Sequence, residues 1–271
     1  MKKVKLIIGL LLLIIASCED IGLIEEDLPY VRLYEVDGLI SPGDKDFEIR
    51  FTQTLPLNEK YDINKAALTD VNAYIWSDTQ GIIPLKHVGE GRYRNAKNKS
   101  NKLQIQSNTY YELFADINGT RIYSKTKVPS KPEIISAKII QNHIECEISG
   151  KEGEVYSCIY VLIENFNIGA PRVVEREKEF NTIFGTGKKE VLTIQTGEFP
   201  EEYLFPGSGR KLAVEVYAWD KSYKEYFETK DNNNPIGDIF SQGGDLIKWN
   251  VYGDNTIGLF MGFATRIYYD F

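Results

Sequence analysis

Between Tyr30 and Val128 apolar and polar residues alternate in short runs separated by turn formers, the pattern of strands with one buried face. VRLYEVDGLI runs into Ser41-Pro42-Gly43-Asp44, and FEIRFTQT follows. Ala66 to Trp76 carries Val71, Ala73 and Ile75 on one side. Gly81 to Val88 and Gly91 to Arg94 flank the turn Gly89-Glu90-Gly91. TYYELFADI and RIYSKTKV flank Asn118-Gly119, a pair that tolerates the positive φ of a type I′ hairpin turn. About seven short strands in roughly a hundred residues predict an immunoglobulin-like sandwich, with Tyr111 placed as a tyrosine corner.

Val128-Pro129-Ser130-Lys131-Pro132 interrupts this pattern. Neither proline can donate a ladder hydrogen bond, so the segment reads as a domain boundary. Beyond it ISAKII, HIECEIS, VYSCIYVLIEN and LAVEVYAWD restart the strand pattern. Residues 165–210, rich in Gly, Pro, Thr and charge, predict long loops with short strands. The period changes once: SYKEYFETKD places Tyr223, Tyr226 and Phe227 at i, i+3 and i+4. Ser222 is the expected N-cap, with Glu225 completing a capping box. Ile267, Tyr269 and Phe271 alternate as in an ordinary last strand. The expected fold class is all-β: two immunoglobulin/fibronectin-III-like β-sandwich domains in tandem, over residues 30–128 and 129–271, with one short helix in the second.

The N-terminus follows neither period. Lys2, Lys3 and Lys5 precede an apolar stretch from Leu6 to Ala16, shorter than the roughly 20 residues of a membrane-spanning helix. Residues 1–17 read as a signal peptide. Ile15-Ala16-Ser17-Cys18 resembles a bacterial lipobox, in which the cysteine takes a diacylglycerol on sulfur and, after cleavage, an acyl chain such as palmitate on its new amino group. Two or three chains on Cys18 make a strong anchor, at about 0.8 kcal/mol per buried CH₂. Residues 18–29 are then the lipidated Cys18 and an acidic tether holding Glu19, Asp20, Glu25, Glu26 and Asp27.

The formal charge is −7, and loss of residues 1–17 would remove Lys2, Lys3 and Lys5 and no acid, taking it to −10. An acidic surface argues against nucleic acid as a partner, since phosphate binding needs basic patches. Two cysteines remain after Cys18. Cys146 and Cys158 flank Gly150-Lys151-Glu152-Gly153; in a hairpin centred on Glu152 they would oppose each other directly. Opposed Cβ atoms lie about 4.5–5.5 Å apart and a disulfide wants about 3.8 Å, so the pair is a disulfide candidate. The alternative is two buried thiols beside Ile144, Ile148 and Tyr156. Further soft ligands for a metal are not nearby. His87 and His143 have no partner at metal-ligand spacing, and no nucleophile-elbow, zincin or phosphate-loop motif is present. The Asp231–Asn234 run and Asp254-Asn255 lack the calcium-loop spacing. The expectation is no catalytic residue, no cofactor and no metal.

Four stretches carry a family resemblance: Cys18 with its acidic stretch and the strand ending Val36-Asp37-Gly38-Leu39-Ile40; Tyr110-Tyr111-Glu112-Leu113 with Asn118-Gly119 and the strand from Tyr123 to Pro129; Tyr217-Ala218-Trp219-Asp220 with the helix at 223–227; and Asn234-Pro235 with Ile257-Gly258-Leu259-Phe260 and Gly262. Together they resemble a Bacteroidota family of outer-membrane lipoproteins with an uncharacterised domain, whose members are often found beside SusC/SusD-type TonB-dependent transporters. The resemblance implies a non-enzymatic accessory or ligand-binding component of a surface nutrient-uptake complex. Its partners would be membrane lipid through Cys18 and a TonB-dependent transporter with its lipoprotein partner. An adhesin or fimbrial subunit, assembling by strand donation, is the alternative.

Overall fold

In the computed structural model, residues 30–56, 58–95, 103–141, 143–164, 172–176, 181–195, 203, 209–230 and 247–269 are described. Cys18, the expected signal peptide at 1–17, the expected tether at 18–29 and the 231–234 run lie outside them. The unit Arg32–Phe271 is all-β, with two short helices among the described residues.

The first sandwich is built from β1 (Tyr34–Ile40), β2 (Glu48–Gln53), β3 (Asn72–Ser77), β4 (Gly81–Gly89), β5 (Arg92–Asn95), β6 (Thr109–Ile117) and β7 (Thr120–Val128), with α1 (Ile63–Ala66) between β2 and β3. Strands β1, β2 and β5 form one layer, and β3, β6 and β7 the other. β4 belongs to both: Gly81–Pro84 pair with β3, and Leu85–Gly89 pair with β5. The alternation seen in the sequence sets the faces. In β6, Thr109, Tyr111, Leu113, Ala115 and Ile117 are buried and the residues between them are not. Tyr111 is fully buried, and its hydroxyl accepts from the Gln106 amide at 2.8 Å. Asn118 and Gly119 take φ values of 52° and 87°, the turn expected of them. α1 was not legible from the hydrophobic pattern. It is a single turn capped by Asp62, whose side chain accepts from the Asn64 amide at 2.9 Å.

The second sandwich has a three-stranded layer of β8 (Glu133–Ile140), β9 (His143–Ser149) and β13 (Lys189–Gln195). The facing layer has β10 (Val155–Glu164) at its centre, with β11 (Arg172–Arg176) and β12 (Asn181–Phe184) on one side and β14 (Lys211–Trp219) on the other. β10 and β14 are buried on both faces. One face packs against the small sheet. The other meets α2 (Ser222–Lys230) through Tyr223, which stacks on Trp219 at 4.5 Å.

β15 (Val251–Tyr252) and β16 (Thr256–Tyr268) then cross back. β15 pairs with β7. β16 runs parallel to β1 from Thr256 to Gly262, and its remainder runs antiparallel to β14. Val251 and Phe260 therefore enter the core of the first sandwich. The linker at 129–132 joins β7 to β8; the core residues before it and those of β8 to β14 form separate clusters, and β15 and β16 return Val251 and Phe260 to the first.

Candidate functional site

The crossing point of β16 builds the site. Gly262 donates to Thr126 Oγ1 at 2.7 Å and accepts from the Asp220 amide at 3.1 Å. Asp220, 7% exposed, accepts at one carboxylate oxygen from the Lys127 amide of the first sandwich. Its other oxygen accepts from the amide and hydroxyl of Ser222 at 2.8 and 2.6 Å. The cap of α2 is therefore Asp220 and not Ser222, whose hydroxyl is a donor. Asn250 pairs its amide with both backbone groups of Phe260, at 2.6 and 2.8 Å, and its carbonyl accepts from Ser124 Oγ at 2.6 Å. These buried polar groups are satisfied, as burial demands.

Above this junction lies a cleft of about 950 Å³. Its walls come from Tyr110 and Lys125 of the first sandwich, the turn Gly153–Val155, the start of α2, and Lys248 to Tyr252 leading through β15. Tyr252 and Tyr110 are 62% and 46% exposed at the rim. Trp249 leans on Tyr226 at 5.6 Å, and Tyr226 on Tyr223, so the indole is braced by an aromatic chain that reaches Trp219 in β14. Lys125 bridges Glu112 at 2.9 Å and lies 4.9 Å over the Tyr110 ring. The hydrogen bond it donates to Glu112 holds its ammonium above the ordinary lysine range. Beside the cleft, Tyr74, Phe114 and Tyr123 form a row across the outer sheet face, with centroids 5.1 and 5.2 Å apart. The rings of Tyr74 and Phe114 face one another, so this part of the row stabilises the sheet. Flat contact surface is offered by the rim residues instead.

The structure separates the residues singled out by sequence. Cys146 and Cys158 are free, buried thiols. They do not face each other across a hairpin: β9 and β10 belong to opposite layers, with Cys146 beside Leu192 and Ala137 and Cys158 beside Val216. Both lie in the same core. Burial pushes the Cys146 thiol from 9.0 up to about 12 and Cys158 higher still. At neutral pH neither is a nucleophilic thiolate. A raised folded pKa means stability that is complete below the unfolded value and is lost as pH climbs through the folded one. Stability should therefore fall between pH 9 and 12. Thiol reagents should leave the native chain untouched at pH 8 and should modify both residues after unfolding without reductant. A single modified thiol in the native state would contradict the burial. His87 is exposed against Tyr93, at 5.1 Å between ring centroids, and His143 sits 3.5 Å from Glu145. Asp254 and Asn255 form the turn before β16, where the Asn255 carbonyl accepts from the Tyr34 amide at 2.7 Å. No cluster of three metal-ligating side chains occurs among the described residues.

Sequence reasoning missed the cleft. The signal for Tyr110 was present: with Tyr111 in the core, alternation points Tyr110 outward. Trp249 and Tyr252 lie in SQGGDLIKWNVYGDN, where no long period exists to read.

The chain belongs to a protein family: residues 24–266 match the family described as a domain of unknown function, DUF4249. Comparison with curated proteins gives no match. Among solved structures the chain is similar, at 10% identity, to the N-terminal four immunoglobulin domains of Dscam1 isoform 6.9, covering 70% of this chain and 47% of that one with a TM-score of 0.19. It thus spans about half the length of that structure. A second similarity, to CBD12 from CALX1.2, is also at 10% identity and TM-score 0.19, covering 85% and 98%.

Proposed function

We propose that this chain is a non-enzymatic, lipid-anchored binding protein of the Bacteroidota outer membrane, exposed at the cell surface and accessory to a TonB-dependent transporter of the SusC/SusD type. The observation that carries the binding role is the cleft at the junction of the sandwiches. Its polar floor is fixed by Asp220, Asn250 and Thr126, and exposed rings and ammonium groups stand around it. A concave site with few placed polar groups and aromatic walls is the usual form of a ligand site. The anchor rests on the lipobox sequence at Cys18, followed by Glu19 and Asp20. A tether keeps such a module near a transporter at high effective concentration.

The fimbrial alternative is the weaker reading. A strand-donating subunit keeps a groove for its neighbour's strand, whereas β16 of the same chain lies beside β1.

Cys18→Ala should release the protein from membranes, and mass spectrometry of the wild-type N-terminus should find an acylated Cys18. A chain beginning at Met1 would sink the anchor. Crosslinked pull-down from outer membranes should recover a TonB-dependent transporter, and protease applied to whole cells should remove the protein. Protection until lysis would place it on the inner leaflet.

A further inference from the structure

The outer face of the layer β4-β3-β6-β7-β15 is apolar and open. One row across the strands runs Pro84, Tyr74, Phe114, Tyr123 and Tyr252. The next row holds Ile82, Trp76, Glu112 and Lys125, and beyond it Tyr110 stands beside Lys127. Trp76, Tyr110, Tyr252 and Ile82 are 37–67% exposed. At about 200 Å² for a large side chain, these four leave about 400 Å² of apolar surface. Pro84 and the outer edges of Tyr74, Phe114 and Tyr123 extend it. The largest apolar patch of a typical monomer is about 300–600 Å². With the charged residues among these side chains, the face reaches about the 800 Å² that each partner gives to a standard interface.

The charges narrow what can cover it. The outward acids Glu112 and Asp116 lie on β6, and the outward bases Arg121, Lys125 and Lys127 on β7. The register sets Glu112 against Lys125, Asp116 against Arg121 and Tyr110 against Lys127. A two-fold axis lying in the face, parallel to the strands and midway between β6 and β7, exchanges these strands and keeps each residue at its height along them. It therefore lays Glu112 on the partner's Lys125, Asp116 on the partner's Arg121 and the Tyr110 ring on the partner's Lys127. In the aromatic row it lays Phe114 on the partner's Tyr123 and Tyr74 on the partner's Tyr252. The face is its own complement in charge and in apolar groups, which is what an isologous contact requires. A partner carrying one sign of charge would be repelled by one strand or the other.

We propose that a second copy of this chain covers this face, with the two copies related by that axis. The test is equilibrium sedimentation of the mature chain carrying Cys18→Ala, so that no lipid gathers the copies. At about 100 μM, well above a dissociation constant of about 1 μM, the chain should have the mass of a dimer. Lys125→Glu and Glu112→Lys should each weaken self-association about tenfold or more, because each sets like charges across the axis. Mixed in equal amounts, the two variants should form a heterodimer, since the mixture restores opposite charges at both contacts. Tyr252→Ala should also weaken the dimer. Leu39→Ala, at an exposed position on β1 in the other layer, should leave it unchanged. Melting curves of the variants confirm that they fold. A monomeric parent chain at this concentration overturns the proposal. So does a dimer that survives both charge reversals, which assembles through another face. A mixture no more associated than its two components overturns it as well. The transporter pull-down reads a different contact and is judged separately.

Discussion

Gly262→Val is expected to unfold the chain or to lower its stability by several kcal/mol. A Cβ at this position would sit 2.7 Å from the Lys127 carbonyl oxygen and 2.7 Å from the Val128 Cα. Both are backbone atoms of β7, and neither can turn aside as a side-chain tip would. Valine adds two further methyl groups at the same spot. Relief requires β16 to lift from β7, which breaks the bond from Gly262 to Thr126. Overpacking of this kind costs about 1–3 kcal/mol, and each buried group left without a partner about 1–3 more. Gly262→Ala should fall below valine in cost and above any substitution at exposed Ile82. Urea denaturation followed by tryptophan fluorescence measures this, and an unchanged midpoint for the valine variant would refute the close crossing.

Asp220→Ala should cost about 3 kcal/mol. The carboxylate holds the Lys127 amide of one sandwich and the Ser222 amide and hydroxyl of the other. Truncation leaves a part-buried amide unpaired, at about 1–3 kcal/mol, and removes the cap of α2, at about 1 kcal/mol. Asp220→Asn should lie between, because an amide has one oxygen to share among these donors. Since α2 carries Tyr223 and Tyr226, which brace Trp249, the alanine variant should also alter the near-ultraviolet circular dichroism. A loss under about 0.5 kcal/mol would show that the junction does not depend on this carboxylate.

The strands of the first sandwich were legible because each is half-buried. Alternation in TYYELFADI and RIYSKTKV fixed both the strands and their faces, and Asn118-Gly119 fixed the hairpin. The helix at 222–230 was legible from the spacing of Tyr223, Tyr226 and Phe227, but its cap was not. Ser222 and Asp220 are both capping residues, and only the fold shows that Asp220 also has a partner in β7. The register of Cys146 and Cys158 misled because sequence symmetry about Glu152 describes a hairpin only if the chain stays in one sheet. Here it passes from one layer to the other at that turn, and nothing local reports the difference. The cleft was hidden for the same reason. Its walls come from residues near 110, 125, 154, 221 and 250, and no local pattern records which distant segments a shared strand brings together.

That shared strand also orders events in time. Val36 pairs with Gly258 and Ile40 with Gly262, partners more than two hundred positions apart along the chain. Contacts of such separation close late, because the loop between them must be organised first. A chain delivered N-terminus first therefore cannot finish its first sandwich when that sandwich's own strands have emerged. The edge of β1 stays open, with its core lacking Phe260, until β16 arrives. During that interval the protein presents an unpaired strand edge of the kind that aggregates, and it is the stage at which a holdase would find the most to bind.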